Sequence, residues 1–219
     1  MKWFKKKKKP NEQVGFFFDH DGLPLTEEDC IFFPERTAVF KDVTTIHEQA
    51  FFPLCSVNMK VINPEWDFFG HFIYVFREQK EAIQYKKFYT PYCGDYSLGF
   101  DYKDGQYILH ARPEMLAIAP YYEKYQQKAA EKYHRFAETY QEKGLESLLP
   151  YKATLNFLIK RFGKTPMWIE EDVVPKDMDG NPLVFVGQIR VLDFIGEGQY
   201  LYLFYSPKYH FFVQREQYR

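Results

Sequence analysis

Asn181–Tyr205, NPLVFVGQIRVLDFIGEGQYLYLFY, decides the fold of this 219-residue chain. It reads as two strands, Leu183 to Val191 and Tyr200 to Tyr205, joined by a short acidic link from Asp193 to Gly198. Both strands are loaded with branched and aromatic residues. In strict alternation the first places Val184, Val186, Gln188 and Arg190 on one face and Leu183, Phe185, Gly187, Ile189 and Val191 on the other. The second has no polar interruption except tyrosine hydroxyls, so it belongs inside a sheet covered on both faces.

Working outward, short apolar runs recur through the amino-terminal half at Val14 to Phe18, Ile31 to Phe33, Thr37 to Phe40, Phe51 to Val57, Lys60 to Ile62 and Phe68 to Arg77. Pro34, Pro53 and Pro64 punctuate them, which is the rhythm of a meandering β region. Glu78 to Lys87 reads as a short surface helix. Tyr96 to Tyr102 and Tyr107 to Ala111 flank Lys103-Asp104-Gly105, where Asp-Gly signals a hairpin. The period then changes. From Pro120 to Lys143, Tyr122, Tyr125, Ala129, Tyr133, Phe136 and Tyr140 recur in steps of three and four, one stripe of an amphipathic helix on the order of 35 Å long. Gly144 follows as its stop. A second, shorter helix is expected over Leu145 to Phe162, interrupted at Pro150, with Leu155, Leu158, Ile159 and Phe162 on one side.

The fold class this predicts is α+β: a mostly antiparallel sheet, with one long amphipathic helix and a shorter one inserted between β-rich halves. Residues 14–219 form a single domain, β-rich over 14–112, helical over 113–162 and β-rich again over 163–219, behind a disordered basic tail, 1–13. Whether Tyr209 to Arg219 closes the sheet or trails off it stays open.

Composition narrows function. Aromatic residues make up 20% of the chain, 23 Phe, 18 Tyr and 3 Trp, favouring ring-filled sheets over an all-helical bundle. Net charge is −1, yet six of the 29 basic residues fall in the first nine positions, so the rest sets 23 basic against 30 acidic residues, about −7. That sign argues against a nucleic-acid-binding body. Cys30, Cys55 and Cys93 lack C-x-x-C spacing and read as reduced thiols of a cytoplasmic protein. No apolar run approaches the roughly 18 residues of a membrane span, and Pro10-Asn11-Glu12-Gln13 stands where a secretory signal would need its apolar region.

Catalytic templates each lack a member. His47-Glu48 begins a zinc motif, but Phe51 holds the place of its second histidine. Asp177-Met178-Asp179-Gly180 fits a hairpin turn better than a calcium loop. Cys93, beside Gly94 and Asp95, reads as a partly exposed structural thiol with no positioned base. No catalytic residue, metal site or cofactor is expected. Glu170, Glu171 and Asp172 read either as a solvated loop or as a negative patch that steers a basic partner; Trp168 beside them is core or anchor. Trp3 and Phe4 with Lys5, Lys6, Lys7, Lys8 and Lys9 read either as a solvated leader or as a contact for an anionic membrane face.

Phe162-Gly163-Lys164-Thr165-Pro166-Met167-Trp168-Ile169-Glu170, followed by Pro175, Asp177, Gly180, Pro182-Leu183, Phe185-Val186-Gly187-Gln188-Ile189 and Tyr202-Leu203-Phe204, resembles the end of a YwqG-like domain. Lys164 stands where that family has a glycine and Glu170 where it has a glutamine. The resemblance covers about a fifth of the chain. It implies a bacterial protein with an α+β fold rich in antiparallel strands, no catalytic set to transfer, and a setting near toxin-immunity loci. The reading that results is a non-enzymatic interaction protein of immunity type, binding a toxin-like or basic protein partner through an acidic, aromatic-rich surface. Two alternatives stay open: a small-ligand binder or enzyme with a pocket near Trp168 and Gln188, and a peripheral membrane protein using its lysine tail.

Overall fold

The structure, a computed structural model, describes residues 22–77, 86–151 and 153–218. The tail with Trp3, Phe4 and Lys5 to Lys9, the expected strand Val14 to Phe18 and most of the expected helix Glu78 to Lys87 lie outside the described residues. The rest is α+β, with two antiparallel sheets and one long helix.

The smaller sheet orders β1 (Cys30–Phe32), β2 (Phe51–Asn58) and β3 (Phe69–Val75) side by side. The larger comprises β4 (Ser97–Lys103), β5 (Gln106–Leu109), β6 (Ile159–Lys160), β7 (Val184–Arg190), β8 (Gln199–Ser206) and β9 (Phe211–Tyr218) in the order β5-β4-β9-β8-β7-β6. The carboxyl-terminal segment is therefore a central strand, paired with β8 from Gln199–Tyr218 to Ser206–Phe211 and with β4 on its other side. The β4–β5 turn has Asp104 and Gly105 at φ of 55° and 86°, the left-handed pair that a two-residue hairpin with primed geometry requires.

Four expectations change. Thr37 to Phe40 is not a strand: Arg36–Val39 forms a helical turn, α1. Lys60 to Ile62 lies on a 3-10 turn, Met59–Val61, nucleated by the Asn58 side chain accepting from the Lys60 N–H. The expected second helix, Leu145 to Phe162, breaks into 3-10 turns at Gly144–Ser147 and Leu155–Phe157 and then strand β6. Pro150 interrupts the helical hydrogen bonding, and Arg161 at φ 56° turns the chain away after β6. Its apolar side is nonetheless buried, at Leu155, Leu158, Ile159 and Phe162. Finally, the link between β7 and β8 contains a short helix, α4 (Leu192–Ile195), closed by Gly196 in the left-handed conformation.

The strict alternation read into the Leu183 ribbon is also broken. The register between β7 and β8 slips between Phe185 and Gly187, so Val186 is an extra, bulged residue. Leu183 and Phe185 consequently join the outer cluster, whereas Val186, Ile189 and Val191 join the main core.

Helix α2 (Thr45–Ala50) begins where the Thr44 hydroxyl accepts from the His47 N–H, and His47 is buried as part of that cap. Helix α3 (Glu123–Lys143) lays Ala129, Tyr133, Phe136 and Tyr140 on the core; Tyr125, expected in the same stripe, is half exposed. The Tyr133 hydroxyl donates to the Pro53 carbonyl at 2.9 Å, beside the bulge of β2. Tyr133→Phe is expected to cost about 1–3 kcal/mol, read from a urea unfolding midpoint, because it strands a buried carbonyl while leaving the ring in place.

The two sheets meet through side chains that complete an edge. Among the described residues strand β3 has no neighbouring strand on one side, and Gln214 of β9 substitutes for one: Ile73 N–H donates to Gln214 Oε1 at 2.8 Å, and Gln214 Nε2 donates to the Ile73 carbonyl at 2.7 Å. One residue pair along the same edge, His71 N–H donates to the Tyr107 hydroxyl at 2.8 Å. The His71 ring is buried against Tyr107, and burial lowers its pKa from 6.5 to about 4, opposed by a hydrogen bond with the Gly105 backbone. A depressed folded-state pKa on a base gives stability that is present above pH 6.5 and lost as pH falls through about 4, here worth roughly 3 kcal/mol. His71→Gln should therefore flatten the fall in urea midpoint between pH 6.5 and 4; His47, whose pKa burial also lowers, retains its own smaller share.

Candidate functional site

The outer face of the larger sheet is built from alternate residues of its central strands: Tyr200, Tyr202 and Phe204 on β8, Phe211 and Val213 on β9, and Phe185 on β7. Such a surface demands cover. The segment Thr165–Asp172 lies across it as a strap. Trp168 stacks on Tyr202 at 4.9 Å and on Phe204 at 5.9 Å between ring centroids. Trp168 is therefore the anchor of the strap, half-buried on the sheet.

Two glutamines fix the strap's backbone. Gln188, fully buried on β7, accepts from the Met167 N–H at 2.7 Å and donates to the Met167 carbonyl at 3.2 Å; the Tyr202 hydroxyl donates to that same carbonyl at 3.0 Å. Gln217, buried on β9, accepts from Ile169 N–H at 2.9 Å and Glu170 N–H at 3.2 Å and donates to the Glu171 carbonyl at 2.7 Å. The sheet thus holds the strap as though it were one more strand, with side-chain amides in place of backbone ones. Gln217→Ala should free Ile169 and Glu170 N–H while sparing Met167, and amide exchange accelerated at those two positions alone would register it.

The five residues singled out in the sequence come together here, in two different roles. Gln188 and Trp168 are holding groups: both ends of the Gln188 amide are committed to Met167. Glu170, Glu171 and Asp172 are the presented groups, all exposed, and among the described residues none of the three carboxylates forms an ion pair. Beside them opens a groove of about 620 Å3 lined by Tyr96, Glu170, Glu171, Arg215, Glu216, Gln217 and Tyr218. Tyr96 and Tyr218 meet edge to face at 6.2 Å and are both exposed. Burial lowers the pKa of Arg215, opposed by Glu171, and its Nε has no hydrogen-bond partner among the described residues. Val173, Val174 and Met178 continue the strap as exposed apolar side chains.

Sequence reasoning missed Gln217, Arg215, Tyr96 and Tyr218. Arg215 and Gln217 were concealed because the apolar residues that open Phe211–Tyr218 give way to Gln214, Arg215, Glu216 and Gln217, four polar residues in a row that do not alternate; Tyr96 and Tyr218 carried no separate signal.

The other candidates behave structurally. Cys93 is buried, not partly exposed: Gly99 N–H donates to its Sγ at 3.2 Å, and burial pushes its pKa up, which disfavours the thiolate. Asp177 Oδ1 accepts from Asp179 N–H and Asn181 N–H, both at 2.9 Å, the hairpin-like turn expected there. Among the described residues no three His, Cys, Asp or Glu side chains gather to hold a metal, and no helix is long and apolar enough to cross a membrane.

No family model, no curated protein and no solved structure matches the chain.

Proposed function

We propose that this chain is a non-enzymatic binding protein that receives a basic protein segment on the Glu170–Asp172 strap and its tyrosine-walled groove. The observation that carries this reading is the contrast within the strap: its backbone is hydrogen-bonded to buried glutamines, while its three consecutive carboxylates stand exposed and form no ion pair among the described residues. Covering the outer face needs Trp168 and Ile169 on the sheet, but the Gln217 bonds extend the anchoring to Glu170 and Glu171 themselves. Fixing the carboxylates in advance lowers the ordering cost of binding, and their combined field would steer a cationic partner. Exposed Tyr96, Tyr218, Val173 and Val174 offer the aromatic and apolar contacts that protein interfaces use at their centres. The YwqG-like residue order runs through the strap and the strands beneath it, and the immunity-type role in a bacterial cell that it implies belongs to the same proposal.

A lysine-rich peptide carrying one aromatic residue is a suitable probe. Its affinity for the full chain should fall at least about tenfold between low and physiological salt, and it should be lost when Glu170, Glu171 and Asp172 are changed together to lysine. Equal binding of a glutamate-rich peptide, or indifference to the triple change, would overturn the reading.

A further inference from the structure

On the smaller sheet, away from the strap's strands, a cavity of about 600 Å3 opens over one cross-strand row. The pairings Ile31–Ser56 and Ser56–His71 set these three side chains on the same face of β1, β2 and β3; buried Ser56 and His71 form its floor, and exposed Ile31 lines it beside them. Helix α1 contributes Ala38 and Val39 to one wall; Phe68, Phe69 and Tyr102 contribute rings to another, with Phe68 and Tyr102 at 5.0 Å. The size lies within the range of small-molecule sites, and the lining is predominantly apolar, as such sites are.

Three features distinguish this cavity from a packing fault. At its floor the Ser56 hydroxyl and His71 Nδ1 form a buried hydrogen bond of 2.7 Å, and the Gly105 backbone interacts with the same ring, so a polar cluster and not an aliphatic layer underlies the cavity. The His71 residue is only 5% exposed, so a ligand over the row changes the surroundings of a ring that is otherwise shielded from water. Second, the lining carries two carboxylates, Glu35 and Asp67, and no lysine or arginine. Asp67 meets Lys60 at 2.6 Å on the exposed rim, whereas Glu35 has no ion pair among the described residues. Third, the ring faces of Phe68, Phe69 and Tyr102 favour a cation over an anion.

From this juxtaposition we propose that the cavity binds a small aromatic or aliphatic amine, its apolar body between α1 and the rings over the Ser56–His71 row, and its positive charge answered by Glu35. A carboxylate of the same shape would face Glu35 and Asp67 and be rejected. A neutral alcohol would bind, but without the charge term. The site is independent of the strap, and either can fail without the other.

Benzylamine, benzyl alcohol and benzoate, added to the full chain, test this when the His71 ring resonances are followed by NMR. Benzylamine should shift them saturably in the millimolar range expected of a fragment, binding about fivefold more tightly than the alcohol, with benzoate giving no saturable shift. Glu35→Gln should remove most of the amine's advantage over the alcohol. Ala38→Trp, a change at an exposed wall position that leaves the buried row intact, should abolish the response to both. Equal affinity for the three probes, a response undiminished by Ala38→Trp, or no shift at His71 with benzylamine would each overturn the proposal.

Discussion

Asp193→Ala should lower the stability of the chain by about 3–5 kcal/mol, moving the urea midpoint down by roughly 1–2 M. Asp193 is the first-turn carboxylate of the four-residue helix α4, and its side chain is only 4% exposed. It accepts from Lys160 Nζ at 2.8 Å and from Arg190 Nε at 3.0 Å, and Arg190 Nη2 closes on the same oxygen as Nε. Lys160 itself is fully buried on the edge strand β6, where burial lowers its pKa and Asp193 opposes that fall. Removing the carboxylate leaves a desolvated cation without the charge that compensates it, and this cost exceeds what the pair gained by forming. The same reasoning makes Lys160→Met combined with Asp193→Leu much milder than Asp193→Ala alone. A midpoint unchanged by Asp193→Ala would show that the cluster is hydrated and carries little of the joint between β6, β7 and α4.

Arg77→Ala is expected to cost a similar 3–5 kcal/mol. The guanidinium follows β3 and reaches across to β9, where Nη2 pairs with Glu216 at 3.2 Å; both side chains are almost wholly buried, at 4% and 1% exposure. Nη1 donates to the carbonyls of Gly94 and Asp95 at 2.6 and 2.8 Å, so one side chain joins the smaller sheet, the central strand of the larger one and the turn before β4. Burial raises the Glu216 pKa and Arg77 opposes that rise, so losing Arg77 should raise it further. Arg77→Lys keeps the charge but not the fork of donors, and should recover only part of the loss. Denaturation curves for the two variants should rank wild type above lysine above alanine. Coincident curves for lysine and alanine would mean that charge contributes nothing beyond the shape of the donor group.

How much of this was legible depended on whether a segment's local pattern and its tertiary role agreed. The two ring-rich ribbons, the Asp104-Gly105 hairpin and the α3 stripe declared themselves because period, turn chemistry and burial all point the same way. Strand β9 did not: Gln214, Glu216 and Gln217 look like surface residues, yet each is buried because it completes hydrogen bonding for another segment, respectively Ile73, Arg77 and the strap. The β7 bulge was invisible for a related reason, since Val186 suits either face of a sheet and only its partner strand sets the register. At the candidate site, the residue types at Trp168, Gln188 and Glu170–Asp172 could be picked out by sequence, but their division into holding and presented groups required the strands beneath them. The Ser56–His71 row had no sequence signature at all, because its members are 15 residues apart and meet only through β2–β3 pairing.

The central claim is that the larger sheet grips the acidic strap through Gln188 and Gln217 and so presents its carboxylates in a fixed array. Amide hydrogen exchange at Met167, Ile169 and Glu170 reads that grip directly. Slow exchange at all three, with Gln188→Ala releasing Met167 and Gln217→Ala releasing Ile169 and Glu170, is the result this account predicts; exchange at the rate of an open loop in the unaltered chain would contradict it.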